Sequence, residues 1–273
     1  MIGDVLRPVC SAETARFADS HWDSGRALGS ERQPMLPATI SILPPVFDPI
    51  SAFGIGGLAV LVAIAWIILF SRHNGRRGLI LSTAVVTVMA VSGLVALSGI
   101  LAQFNSFPPP MLLMIASVFV VSFAVGLSSF GRAAAAELSF ASLVGLQGFR
   151  FPLELVMHHA GNVGIMPVQL SYSGYNFDIV TGISALLIFT LLKAGRSVSR
   201  AVLWAWNVWG CLCLVVIAIV AITTSPVVRL FGDDPHNLNT WVLYFPYVWL
   251  PVVLVTVAIS SHVVITRKLL KGD

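Results

Sequence analysis

Seven largely apolar stretches, residues 51–70, 79–102, 111–130, 138–160, 179–194, 201–223 and 241–265, constrain this chain more than any other feature. A helix that crosses the hydrocarbon core of a bilayer needs about 20 such residues. Inside lipid each backbone N–H and C=O must find a partner within the protein, which excludes open sheets and leaves helices. The expected fold is therefore all-α: a polytopic membrane bundle of about seven transmembrane helices, forming one domain over residues 51–273. Composition agrees. Only 10% of the residues are charged and 57% are hydrophobic, whereas soluble domains carry about 25% charged residues. A soluble fold is excluded on that ground.

The net charge of +4 is gathered in short clusters between the apolar stretches. It forms no basic patch, so nucleic acid is not an expected partner; the lipid bilayer is. Arg72, Arg76 and Arg77 follow the first stretch, and Arg132 follows the third. Lys193, Arg196 and Arg200 follow the fifth, and Arg267, Lys268 and Lys271 follow the seventh. The alternate loops hold no Lys or Arg in 103–110 or 161–178, and only Arg229 in 224–240. Positive-inside logic then predicts an outer N-terminus and a cytoplasmic C-terminus in a plasma (inner) membrane. Residues 1–50 read as a polar extension without fixed structure. Residues 1–34 contain no apolar run, and Met35 is the expected true start.

The fourth stretch, LSFASLVGLQGFRFPLELVMHHA, carries Gln147, Arg150, Glu154 and His158. At about 100° per residue these four fall within a wedge roughly 80° wide on one side of a helix. A charge at mid-bilayer costs about 2.5–3.5 kcal/mol on insertion scales, so Arg150 should face inward and need an anion. Glu154, one turn on, is the expected partner, with His158 one further turn along the same buried ridge. Pro152 lacks an N–H and crowds the carbonyl of Gly148, so a kink is expected there.

Other stretches supply further polar groups. His262 lies near the end of the last one, Asn207 sits in WAWNVWG, and Asp178 precedes the fifth, where an N-cap is its default role. Gln169, Asn176 and Asp178 are positioned to line an outer mouth. Residues 168–179, VQLSY-SG-YNFDI, alternate apolar with polar on either side of Ser173–Gly174, which predicts a short outer β-hairpin. His158 and His159 are adjacent and diverge on a helix, so no metal set is read from them, and no cofactor is implied. No phosphate loop, HExxH or nucleophile elbow occurs. Cys10, Cys211 and Cys213 form no disulfide framework; the last two read as packing residues.

Three segments, QGFRFPLELVMHH, PVQLSYSGYNFDIVTG and LYFPYVWLPVVLVTVAISSH, resemble a family of uncharacterised bacterial multi-pass membrane proteins. The shared pattern is FRxxxExxxH followed by PxQ…NFDxxTG. It falls on Phe149, Arg150, Glu154 and His158, then on Pro167, Gln169, Asn176, Phe177, Asp178, Thr181 and Gly182. The resemblance implies the same architecture and the same residues, and carries no activity.

The expected function is binding or transport of a small solute at an intramembrane polar site. Its candidate residues are Gln147, Arg150, Glu154, His158, Gln169, Asn176, Asp178, Asn207 and His262. Two alternatives are a membrane-embedded enzyme using Glu154 and His158 as acid and base or as metal ligands, and an accessory subunit whose charged pair is structural.

Overall fold

The computed structural model describes residues 42, 44–71 and 75–271, and residues 42–273 cluster as one compact unit. The expected N-terminal extension falls almost wholly outside the described residues, as does the expected start at Met35. The described residues are helical, with no strand among them.

Helix α1 (Pro49–Ser71) opens with Asp48, whose Oδ2 accepts from the Ser51 amide at 2.7 Å. Pro49 occupies the first helical position, where its missing N–H costs nothing. Helix α2 spans Gly75–Leu97 and α3 spans Pro110–Leu127. At Ser128 the chain becomes extended, and the Ser128 hydroxyl accepts from the amides of Phe130 and Gly131 to cap α4 (Ser129–Glu137). Then follow α5 (Phe140–Leu146), a 3-10 turn at Gln147–Phe149, α6 (Arg150–Asn162), α7 (Asp178–Lys193) and α8 (Arg200–Thr223). A π-helical turn, Leu250–Val255, leads into α9 (Thr256–Lys271).

Five of these segments are long and apolar enough to cross a membrane: 49–71, 75–97, 110–127, 200–223 and 250–271. The last is the axis of the unit. It is 61% buried over its apolar stretch, against 22–33% for the other four, and α3, α4, α5 and α8 all pack on α9. The outer helices leave Val86, Leu94, Val120, Leu187, Val215 and Ile219 exposed. Such a belt of exposed aliphatic side chains suits lipid and not water.

The two ends differ in charge. At one end Arg77 pairs with Glu137 at 3.1 Å, and Lys268 donates to the Ala135 carbonyl. Arg267 donates to the carbonyls of Gly126 and Ser128, and Arg200 to that of Leu269. The Gly126, Ala135 and Leu269 carbonyls that these cations reach lie in the last turns of α3, α4 and α9, where intrahelical partners run out. At the opposite end Asp48 meets His159 at 3.1 Å, and Gln169 donates to Asn237 at 3.0 Å.

Three expectations are corrected. The stretch 138–160 is not one helix: it breaks at Gln147–Phe149, ahead of Pro152, into α5 and α6. The last long helix begins about nine residues later than expected, because residues 241–248, with Pro246 among them, run in short turns before Leu250. Residues 168–179 form no hairpin. Val168–Leu170 is a 3-10 turn, the amides of Tyr175 and Asn176 fold back onto the carbonyls of Gln169 and Ser171, and Gly174 packs on the backbone of Val168 and Gln169. The alternating pattern does not carry over into burial: Leu170 and Asn176 are turned inward, while Val168, Tyr175 and Phe177 face outward.

Candidate functional site

Arg150 begins α6 just after the helix break and is 1% exposed. Its guanidinium does not pair with Glu154, as local spacing predicts. It reaches α7 and grips Asp178 by two prongs, Nε to Oδ2 at 2.9 Å and Nη2 to Oδ1 at 2.6 Å. Two parallel charge-assisted bonds fix the guanidinium plane as well as its position. α7 comes close enough because Gly182 lies against the backbone of Phe151; a Cβ there would overlap the Phe151 nitrogen. Asp178 is the first residue of α7, its own amide donates to Asn176 Oδ1 at 3.1 Å, and its carboxylate sits at the positive end of the helix.

The other side of Arg150 faces the axial helix. Nη1 lies 2.9 Å from His262 Nε2. A guanidinium has donors only, so Nε2 must accept and the ring proton sits on Nδ1. That proton is donated to Asn207 Oδ1 at 2.9 Å; Asn207 Nδ2 donates to Thr266 Oγ1 at 2.8 Å, and Thr266 donates to the His262 carbonyl. His262 thus orients Arg150 and offers no free nitrogen. Gly210 makes room for the ring: a Cβ there would overlap His262 Cε1.

Glu154 is one turn from Arg150 and 1% exposed. Its Oε1 accepts from Asn176 Nδ2 at 2.6 Å, while Oε2 is buried without a hydrogen-bond partner. Gln147 Nε2 donates to the Ala258 carbonyl at 3.3 Å, and its Oε1 is also unpartnered. A cavity of about 40 Å³ lies here, lined by Arg150, Glu154, Asn176 and Asp178 on one side and by Leu214, Leu250 and Leu254 on the other. At roughly 10–15 Å³ for each water-sized centre, it has room for about three. A larger hollow of about 820 Å³, lined by α1, the end of α2 and Tyr244–Trp249, has no charged residue in its lining and shares none with this network.

The structure thus brings Gln147, Arg150, Glu154, Asn176, Asp178, Asn207 and His262 together from five helical segments and the loop before α7. Two candidates stand apart. His158 is half-buried near the end of α6, stacked 4.3 Å from Tyr172 and bonded to Asn162 and Ser173. It is not on the buried ridge, because α6 ends four residues later and the loop at 168–176 covers that side. Gln169 bonds Asn237 instead of facing the cavity. Among residues the sequence reading did not select, Thr266, Ser171 and Asn237 hold these partners in place; isolated hydroxyls and amides carry no pattern that distinguishes them. Trp206 and Trp241, which resemble interfacial anchors by position, are buried packing residues.

A family model described as a domain of unknown function, DUF8737, matches residues 107–270. The chain belongs to the DUF8737 family. The matched DUF8737 region runs from just before α3 to the last turn of α9 and contains every residue of the network above. No curated protein and no solved structure matches the chain.

Proposed function

We propose that this DUF8737 protein is a multi-pass integral membrane protein that binds or carries a small polar solute at an internal site. In this reading the chain crosses the bilayer seven times, with its N-terminus outside and its C-terminus in the cytoplasm. The five long helices supply five crossings, α5–α6 a broken sixth, and α7 a seventh; at 16 residues α7 is about 24 Å long, close to the hydrocarbon thickness. The cation-rich end is the cytoplasmic one.

The observation that carries the solute reading is the unpartnered Glu154 Oε2, an acidic oxygen buried against a cavity beside an already balanced Arg150–Asp178 pair. Buried polar atoms nearly always have partners, and an ionisable group at membrane depth that lacks one is best explained by an occupant. A purely structural pair would need only Arg150 and Asp178. The enzyme reading loses its support, since Glu154 and His158 bond to different partners and face different surroundings.

The test compares wild type with Glu154→Gln, purified in detergent, against a panel of small alcohols, amines, carboxylates and alkali-metal salts. Thermal stabilisation of the wild type by some member, lost in Glu154→Gln, is the expected result. Equal response of both proteins to every member would overturn the reading and favour a structural network.

A further inference from the structure

The polar cavity beside Glu154 shares a wall with a neighbour. Met157, Leu214, Ile217, Leu250 and Val255 line it and also line a second hollow of about 100 Å³. This neighbour is a cleft between α3 and α8, floored by the π-helical turn and the start of α9. Phe119 and Met114 come from α3, and Ala218 and Ile222 from α8. Its walls are apolar apart from Asn239 and Trp241, two buried residues of the loop before the π-helical turn. Ile115 and Phe119 on α3 and Ile217 and Ala218 on α8 are each partly exposed, so the cleft opens between these helices along the flank of the bundle.

Resting on the internal-site reading above, we propose that these two adjoining hollows together take a single-chain amphiphile that enters sideways between α3 and α8 and parts the side chains of their shared wall. Its hydrocarbon tail lies in the cleft, and its small head, a hydroxyl or an ammonium, donates a hydrogen bond to Glu154 Oε2. Three features select this chemistry. The polar compartment holds only a few atoms, which excludes a glycerophosphate head. Glu154 Oε2 has no partner and can accept, so a head that donates, a hydroxyl or an ammonium, can pair with it. The passage to it is apolar and flank-facing, so a free hydrophilic solute would leave its hydration shell with nothing to replace it until the very end, whereas an alkyl chain is already at home in lipid. The π-helical turn supplies Leu250 and Val255 to the lining of both compartments.

The test uses two photoreactive probes, an alkylamine and an alkyl alcohol with a mid-chain diazirine, applied to the full chain in lipid nanodiscs with labelled peptides mapped by mass spectrometry. Labelling should fall on α3, α8 and the π-helical turn. Unlabelled dodecylamine or dodecanol should compete, dodecane should not, and the better competitor identifies the head. Glu154→Gln should reduce labelling roughly tenfold, the scale of one lost hydrogen bond to a strongly polar group. Ala218→Trp, on the half-buried cleft wall, should do the same and carries the test if Glu154→Gln fails to fold. Competition by dodecane, or labelling untouched by Ala218→Trp, would mark ordinary lipid contact and overturn the proposal while leaving the small-solute reading intact. Labelling that Ala218→Trp removes and a folded Glu154→Gln retains would count against both.

Discussion

Arg150 and Asp178, 28 residues apart in sequence, form the two-pronged ion pair that joins α6 to α7, with side-chain exposures of 1% and 9%. A buried pair of this kind is weak evidence for net stability, because desolvation offsets much of the attraction. Breaking it from one side is another matter. Asp178→Asn or Arg150→Met should each destabilise the protein by about 3–5 kcal/mol, since each strands a charge in an apolar interior. The double variant should be less damaging than the two single effects added together. Thermal melts of the four purified proteins give the comparison; strict additivity would mean that the two side chains act independently.

The Gly182 contact tests the same junction through the backbone. Gly182→Ala should separate α6 from α7 and destabilise by more than 1 kcal/mol, the usual scale of overpacking being about 1–3 kcal/mol. Gly57, in α1, faces open space, so Gly57→Ala should be neutral or stabilising by up to about 1 kcal/mol through helix propensity. Melts of the two variants side by side should move in opposite directions, and a shared direction would refute the geometry.

What the sequence revealed and what it hid follow one physical division. Apolar length is local, so α1, α2, α3 and α8 are legible within a few residues. The polar wedge is local too, and Gln147, Arg150 and Glu154 do face inward. Partner choice is not local: i,i+4 spacing nominates Glu154 for Arg150, but the break at Gln147–Phe149 and the close approach at Gly182 hand that role to Asp178. The partners of His262 are not local either, since Asn207 and Arg150 lie 55 and 112 residues away. The loop at 168–179 misled for a different reason: its apolar–polar alternation does not match burial, with Val168, Tyr175 and Phe177 exposed and Ser171, Asn176 and Asp178 buried.

Sidedness gives a direct check on the seven-crossing proposal. Ser197 lies exposed between α7 and α8, and Asp233 lies exposed in the loop after α8. With the native cysteines replaced, a membrane-impermeant maleimide applied to intact cells should label Asp233→Cys and should reach Ser197→Cys only after permeabilisation. The reverse pattern would invert the topology, and labelling of both in intact cells would remove the crossing by α8.

Asp48 links the cap of α1 to the end of α6 and gives the fold an acid-sensitive contact. Hydrogen bonds from Ser51 hold its carboxyl below the ordinary value of 3.8, with burial opposing and the neighbouring His159 adding a smaller pull in the same direction. A carboxyl lowered on folding contributes stability that is fully present above its unfolded value. That contribution is lost as pH falls through the lower folded value, when the protonated group no longer accepts as strongly from the Ser51 amide. Asp48→Asn keeps a side-chain acceptor but removes the charge, so wild type should melt above the variant at neutral pH. The two curves should converge as pH falls below about 3.8, the unfolded value. A gap between wild type and variant that stays constant from neutral to strongly acidic pH would show that the Asp48 charge contributes nothing, leaving only the geometry of the cap.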